Sequence, residues 1–352
     1  MNSDHAGARR KKIAVPLILV CVAVLLLGVG LLVRTLPARR AEEEKASAAA
    51  PAESRESETA IAASAEPEEK GDEAEQAAPE QESLSEQERI AEEERLEAER
   101  AAAYREAEEL LAEGDEQAAF KAFTALEDYR DSEQRAGAIY ESVTGRDALA
   151  KANIGDTVIF GMYEQDGNKA NGREWIEWLV LDREEDRILV ISRYGLSSQA
   201  FNTTNISVSW GHSTVRDFLN RRFLNDAFSE AEQARIPTVT VRAEQNPGFD
   251  TDSGEDTQDK LFLLSIGEAD KYFDSDEARR CVPTPNTAAQ GACVSTTYDV
   301  DGRGTCWWWL RQPGRRNNLA ACIDEDGALH PSGYDNYLDD VAVRPAMWIE
   351  AG

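Results

Sequence analysis

The sequence predicts a C-terminal α+β domain of about 200 residues, carried on an acidic and helical N-terminal region. Three observations lead there. All seven tryptophans follow residue 174, so the material for a large core sits in 151–352. Within that stretch strand-like runs come first, helical patterns follow, and strand-like runs return, which is the order of an α+β domain. The charge is also divided along the chain. Residues 1–40 are net +6, 41–100 net −15 and 151–352 net −13, within a total of −29. This acid excess argues against a nucleic-acid partner, because phosphate binding needs clustered Lys and Arg.

The first element is Ile13 to Val33, 21 residues without a charge. At 1.5 Å per residue that is enough to cross a bilayer core of about 30 Å, so it predicts a single transmembrane helix. Arg9, Arg10, Lys11 and Lys12 precede it, against Arg34, Arg39 and Arg40 after it. The bias favours a basic cytoplasmic tail at 1–12 and a C-terminal part outside the cell membrane. A cleaved signal peptide is the rival reading, but its apolar core is shorter and ends in small residues. Residues 41–84 are Ala, Glu, Ser, Pro and Gln, with Ile61 and Leu84 as the large apolar exceptions. Such a chain buries too little surface to offset its ordering entropy, so 34–84 is predicted to be a disordered acidic linker.

Residues 85–150 read as helical. Ser85 and Glu88 have capping-box spacing and predict a helix start. Glu86–Arg89, Glu92–Arg95 and Glu97–Arg100 are i,i+3 pairs of opposite charge. Apolar residues are sparse up to residue 100, as in a solvated helix or a marginal coiled coil. Tyr104, Ala107, Leu110 and Leu111 then share one helical face, and Gly114 breaks the helix. Ala118, Phe120, Phe123 and Leu126 predict a second helix, Asp128 to Asp131 a turn, and Asp131 or Ser132 a third start. The spacing is similar to one degenerate tetratricopeptide-type hairpin. Repeat arrays need about three repeats, so a single hairpin is expected to pack on the following domain. It serves there as a stalk or collar, or as a peptide-binding element.

From residue 154 the pattern changes. Thr157–Phe160, Ile176–Leu181 and Arg187–Ser192 predict a three-stranded antiparallel meander. Ser213 caps a predicted helix through Phe228, with Val215, Phe218, Leu219, Phe223 and Leu224 inward, and Ser229 begins a short one. Thr238–Val241 and Leu261–Ser265 read as strands, Ile266–Phe273 and Ser275–Cys281 as helices. Cys306–Arg311, Ala320–Ile323, Gly327–His330 and Val341–Ile349 read as closing strands, with Asp326-Gly327 as a type I′ hairpin signal.

Several of these segments together carry a resemblance. They are Gly155-Asp156 to Phe160, Ile176-Glu177-Trp178, Leu219-Asn220 to Phe228 and Gln258-Asp259-Lys260 to Ser265. Two closing motifs are the most specific: Cys306-Trp307-Trp308-Trp309-Leu310-Arg311 to Gly314, and Val343-Arg344-Pro345-Ala346-Met347-Trp348-Ile349. Residues 151–352 thereby resemble the bacterial domain-of-unknown-function family 6273. The tail pattern is itself similar to the C-type-lectin-like fold of the formylglycine-generating-enzyme branch. The resemblance implies a C-type-lectin-like α+β domain and assigns no reaction.

No catalytic set emerges from the residues. His5, His212 and His330 are far apart, and spacing pairs none of them with a base or a metal. Enzymes of the formylglycine-generating branch depend on a copper-binding cysteine pair, and no pair here matches that motif. Cys281, Cys293, Cys306 and Cys322 outside the cell are more simply two disulfides, in any of three connectivities, with free thiols and metal chemistry as the alternatives. Asp250, Asp252, Asp256, Asp259, Asp299, Asp301, Asp324 and Asp326 raise calcium as the one cofactor to consider. Yet 250–261 lacks the EF-hand glycine and has Leu261 where the closing Glu belongs, so solvated loop acids are the simpler reading. Trp307, Trp308 and Trp309 are expected in the core rather than on a sugar-stacking surface.

The candidate ligand-binding surface surrounds the last hairpin: Arg315, Arg316, Asn317, Asn318, His330, Tyr334, Asp335, Asn336 and Tyr337. Tyr and Asn suit recognition because they give contact area and adaptable hydrogen bonds. In the similar C-type-lectin-like domains this region faces the ligand. The expected function is therefore a single-span, membrane-anchored protein that binds a glycan, peptide or protein outside the cell. The alternatives are an extracytoplasmic enzyme of the formylglycine-generating branch, or an assembly protein acting through its helical stalk.

Overall fold

A computed structural model of the chain describes residues 77–352. The predicted tail and membrane span, and most of the predicted linker, lie outside the described residues. Among the described residues no helix is long and apolar enough to cross a membrane.

The first helix spans Ala77–Glu113, so it begins eight residues before the expected start and Ser85 is an interior residue rather than a cap. The end of the predicted linker is therefore helical. Ion pairs Glu86–Arg89 and Glu92–Arg95 form along its exposed face. Glu97 and Arg100 do not pair with each other. Both reach instead to the turn between the next two helices: Arg100 bonds Asp128, and Glu97 accepts from the Tyr129 hydroxyl. Gly114, at φ 85°, ends the helix, and Asp115 caps Glu116–Ala125 by accepting from the Ala118 N–H. A third helix spans Ser132–Thr144. Tyr104, Ala107, Phe123, Tyr129 and Ile139 form their shared core.

That small core is closed by the sheet domain. Trp175 packs into it, with ring centroids 5.4 Å from Phe120 and 6.1 Å from Tyr140. Buried Glu232 fastens the third helix to the first strand, accepting from the Tyr140 hydroxyl and from the Gly161 N–H. A hairpin this small cannot bury its own apolar faces, and here the sheet supplies the missing surface.

The domain is α+β with two main sheets. The first joins β1 (Thr157–Tyr163), β2 (Glu174–Arg183) and β3 (Arg187–Ser192) as the expected antiparallel meander. Its fourth strand comes from the far end of the chain. The chain crosses by β4 (Ser197–Ser198) into a helical stretch, Thr214–Asp217, Phe218–Phe223 and Leu224–Ala227, whose middle turn is a wider π turn. Ser213 caps it as expected, by accepting from the Arg216 N–H.

Next come β5 (Val239–Val241) and β6 (Thr257–Asp259), which pair with each other. The expected strand at Leu261–Ser265 is thus displaced upstream. Leu261 to Leu264 are instead buried in irregular backbone, where Phe262 exchanges hydrogen bonds with Ala346. The helix expected over Ser275–Cys281 shortens to Asp276–Arg279.

A hairpin absent from the sequence reading follows, β7 (Val294–Val300) and β8 (Arg303–Cys306). Asp301 and Gly302 form its two-residue loop, at φ 56° and 75°. These are the two positive φ values a type I′ turn requires. The expected type I′ turn at Asp326-Gly327 is not made, since only Gly327 has positive φ, at 92°. The connection there is the wider loop between β10 (Leu319–Ile323) and β11 (Leu329–Asp335).

The second sheet runs β11-β10-β9-β12-β4, where β9 is Trp308–Pro313 and β12 is Ala342–Val343. Strand β13 (Ala346–Glu350) returns to β3 and so ties the chain end to the first sheet. Trp178, Trp308 and Trp309 are fully buried in the core between these elements. Each indole N–H finds a carbonyl, of Phe160, Arg279 and Gln199 respectively, so burial leaves no donor unpaired.

Candidate ligand-binding cleft

Trp307 sits at the joint between β8 and β9, and alternation decides where the three adjacent indoles go. Trp308 points to one face, where it packs edge-on to Phe273 and under the Arg344 guanidinium. Trp307 and Trp309 point to the other, and both rings lie against Tyr334, at 5.1 and 6.3 Å. Trp309 is buried there, whereas Trp307 is only half-buried and forms the wall of a cleft of about 250 Å³. The core expectation thus holds for Trp308 and Trp309 and fails for Trp307.

Two loops and a backbone tie complete the cleft. Glu325, in the β10–β11 loop, accepts from the Trp307 indole N–H and, through its carbonyl, from Thr305. Cys293 and Ser295 line the side formed by β7, and the Cys293 N–H donates to the Asp340 carbonyl at 2.9 Å. Asp340 also lines the cleft, and its Oδ1 is buried without a hydrogen-bond partner among the described residues. Tyr334 stands opposite Ala320 on β10, a small neighbour that leaves its ring free to meet Trp307. Burial raises the Tyr334 hydroxyl above its ordinary ionisation range, and the Asp340 carboxylate adds to the effect. Among the described residues no Lys or Arg lines the cleft.

The residues expected to form one recognition surface divide into three groups. Tyr334 lines the cleft, and His330 stands edge-on to Trp307 at 5.5 Å, with Nδ1 3.7 Å from the Cys322 sulfur. Asn317, Asn318 and Asn336 hold loops together. Asn317 donates to the Asp252 carbonyl, Asn318 to Asn205, and Asn336 to the Ile206 carbonyl. Asn336 is wholly buried, so it is unavailable to a ligand. Arg315, Arg316 and Tyr337 are exposed and Asp335 half-buried, and none of these four lines the cleft. Sequence reasoning missed Glu325, Asp340, Cys293 and Ser295. The Asp301-Gly302 turn, which places β7 against β8, was the available signal.

The four cysteines of the domain are free thiols rather than two disulfides. Cys281 and Cys306 are neighbours on adjacent backbone, both fully buried, while Cys293 is exposed and Cys322 is buried by His330. The Cys306 thiol hydrogen-bonds to Cys281, which lowers the Cys281 pKa and raises that of Cys306; burial adds to the rise. The acids considered for calcium are engaged in turns and ion pairs. Asp259 is buried and accepts from Trp210 and Arg216, Asp256 from Ala243, Asp252 from Gly254 and Asp299 from Gly302. Asp324 and Asp326 both accept from the Ala328 N–H. Among the described residues the only three acids whose oxygens gather within 4.8 Å are Glu164, Asp166 and Glu174, outside the predicted loops. Glu174 already pairs with Lys121 at 2.6 Å.

Apart from Trp307, the residues of the two closing motifs that make contacts here build the core. Arg311 is buried and makes a two-pronged ion pair with Glu268. Arg344 donates to the Ser192 carbonyl and lies over Phe273 and Trp308. Residues 185–351 match the family model described as Domain of unknown function (DUF6273). No curated protein and no solved structure matches the chain. The matched segment contains every residue that lines the cleft. It begins in the turn between β2 and β3, so β1 and β2 precede it although they complete its first sheet.

Proposed function

We propose that this chain is a recognition protein. A single span at Ile13 to Val33 anchors it in the cell membrane, and its C-terminal domain, with a C-type-lectin-like arrangement of its α+β elements, binds a glycan, peptide or protein ligand outside the cell. The observation that carries this reading is the cleft beside Trp307, which combines two aromatic faces with a polar rim. Concave, largely apolar sites with a few convergent polar groups are the usual form of ligand sites. An enzymatic role related to the formylglycine-generating branch would need two adjacent free thiols. Cys281 and Cys306 meet that condition, but both are fully buried and neither lines the cleft. Binding is therefore the better supported reading.

The test uses the full-length chain in detergent micelles, screened against cell-wall fragments, glycans and peptides. A saturable ligand whose affinity drops in Trp307→Leu and Tyr334→Ala supports the reading, provided both variants keep the parent circular dichroism. A ligand untouched by both substitutions removes the cleft from the proposal. For the topology, protease added to intact cells is expected to digest the C-terminal domain, and full protection overturns the extracytoplasmic assignment.

A further inference from the structure

Among the described residues the cleft is lined by two acidic residues, two aromatic rings and no basic side chain, which restricts the chemistry of what fits. The Trp307 indole N–H is already given to Glu325 and His330 stands edge-on to the ring at 5.5 Å, so the part of Trp307 that lines the cleft lies beside Tyr334. The Trp307 and Tyr334 rings meet at 55°, with centroids 5.1 Å apart, and form an open angle rather than a closed stack. Cations are drawn to such ring faces by the negative quadrupole. Asp340 supplies the opposite charge. Its Oδ1 is buried without a hydrogen-bond partner among the described residues, which leaves the carboxylate under-satisfied within the protein. A volume of about 250 Å³ holds roughly eight waters' worth of ligand, enough for a charged head group and part of its carbon stem.

We propose that the cleft receives the alkylammonium group of a ligand, seated between the Trp307 and Tyr334 rings with its N–H donors directed to Asp340. The inference rests on the recognition reading above and names the class of ligand that site takes. An anionic head group would face two carboxylates without a compensating cation. A neutral hydroxyl would satisfy one acceptor but leave the charge of Asp340 unpaired.

Calorimetric titration of the full-length chain in detergent micelles tests this with matched probes. The amines are Nα-acetyl-lysine methylamide and glucosamine, and their neutral counterparts are Nα-acetyl-norleucine methylamide and N-acetylglucosamine. Both carry the shared ammonium chemistry, and the stronger of the two identifies a peptide or an amino-sugar source. The amine is expected to bind about tenfold more tightly than its counterpart. That preference should weaken at about 0.5 M salt and disappear in Asp340→Asn. Asp340→Asn removes charge without removing a hydrogen bond seen in the structure, so it should leave the melting temperature near that of the parent. A neutral probe that binds as well as its amine, in a manner lost in Trp307→Leu, overturns the inference and leaves the recognition reading standing. Failure of both amines to bind folded protein also overturns the inference. Binding unaffected by Trp307→Leu, Tyr334→Ala and Asp340→Asn overturns both.

Discussion

Cys281 and Cys306 face each other across an antiparallel bridge, and the Cys306 N–H donates to the Cys281 carbonyl at 2.8 Å. Directly opposed residues in such a pair have Cα atoms about 5.5 Å apart, which falls inside the range a disulfide spans. Arg344, fully buried beside them, favours the thiolate form of both sulfurs. Oxidation of the folded protein with a small peroxide is therefore expected to join these two cysteines. The Cys281 thiolate takes an oxygen to give a sulfenic acid, and the Cys306 thiol then displaces water. Non-reducing peptide mapping should recover a Cys281–Cys306 peptide that is 2 hydrogen atoms lighter, roughly 2 Da. Recovery of Cys293–Cys322 as the dominant pair would contradict the geometry.

Asp324 is the second chemical oddity of the domain. Burial pushes its carboxyl up to about 7, and the adjacent Asp326 carboxylate adds to the effect. The folded state thus holds this proton more tightly than the unfolded chain, whose Asp titrates near 4. Between about pH 4 and 7 the native state binds the extra proton, so the contribution of Asp324 to stability is present below that window and lost as pH rises through it. Chemical denaturation at several pH values across the window should show that decline. Asp324→Asn is expected to flatten it, and an unchanged slope would mean the proton resides elsewhere.

The helical region and the sheet domain are expected to unfold together, because Trp175 belongs to β2 yet packs in the helical core. Trp175→Ala should cost about 3–5 kcal/mol, the range for removing a buried indole. It should also release the helices for early proteolysis, while the sheet domain keeps its own transition. If the variant still melts in one transition near the parent temperature, the ring is not the coupling element.

Two glycines separate strain from collision. At Gly327 a Cβ would lie 1.7 Å from the Asp276 carbonyl oxygen, and φ is also positive there. Gly114 has a similar φ but open space around it. Gly114→Ala is expected to cost about 1–2 kcal/mol through its left-handed backbone alone. Gly327→Ala should cost roughly 2–4 kcal/mol, since either the β10–β11 loop or the Asp276–Arg279 helix must also move. Equal melting temperatures for the two variants would contradict the packing at Gly327.

The sequence by itself determined the features that depend on neighbours along the chain. The β1–β2–β3 meander was legible because its strands are consecutive and rich in β-branched and aromatic residues. The caps at Ser213 and Ser229 and the break at Gly114 were legible because each is decided within one turn of backbone. Tertiary structure decided what long-range pairing controls. Ala346 claims the backbone of Phe262, which keeps Leu261 to Leu264 from forming a strand of its own. It also divided the expected recognition surface, burying Asn336 while leaving Tyr337 at 41% exposure. Local sequence marks a Tyr, an Asn or a Trp as suited to recognition. Only the folding of β7, β9, β11 and the Asp340 segment around one another decides which of them meet, because that requires residues almost fifty positions apart to share a wall.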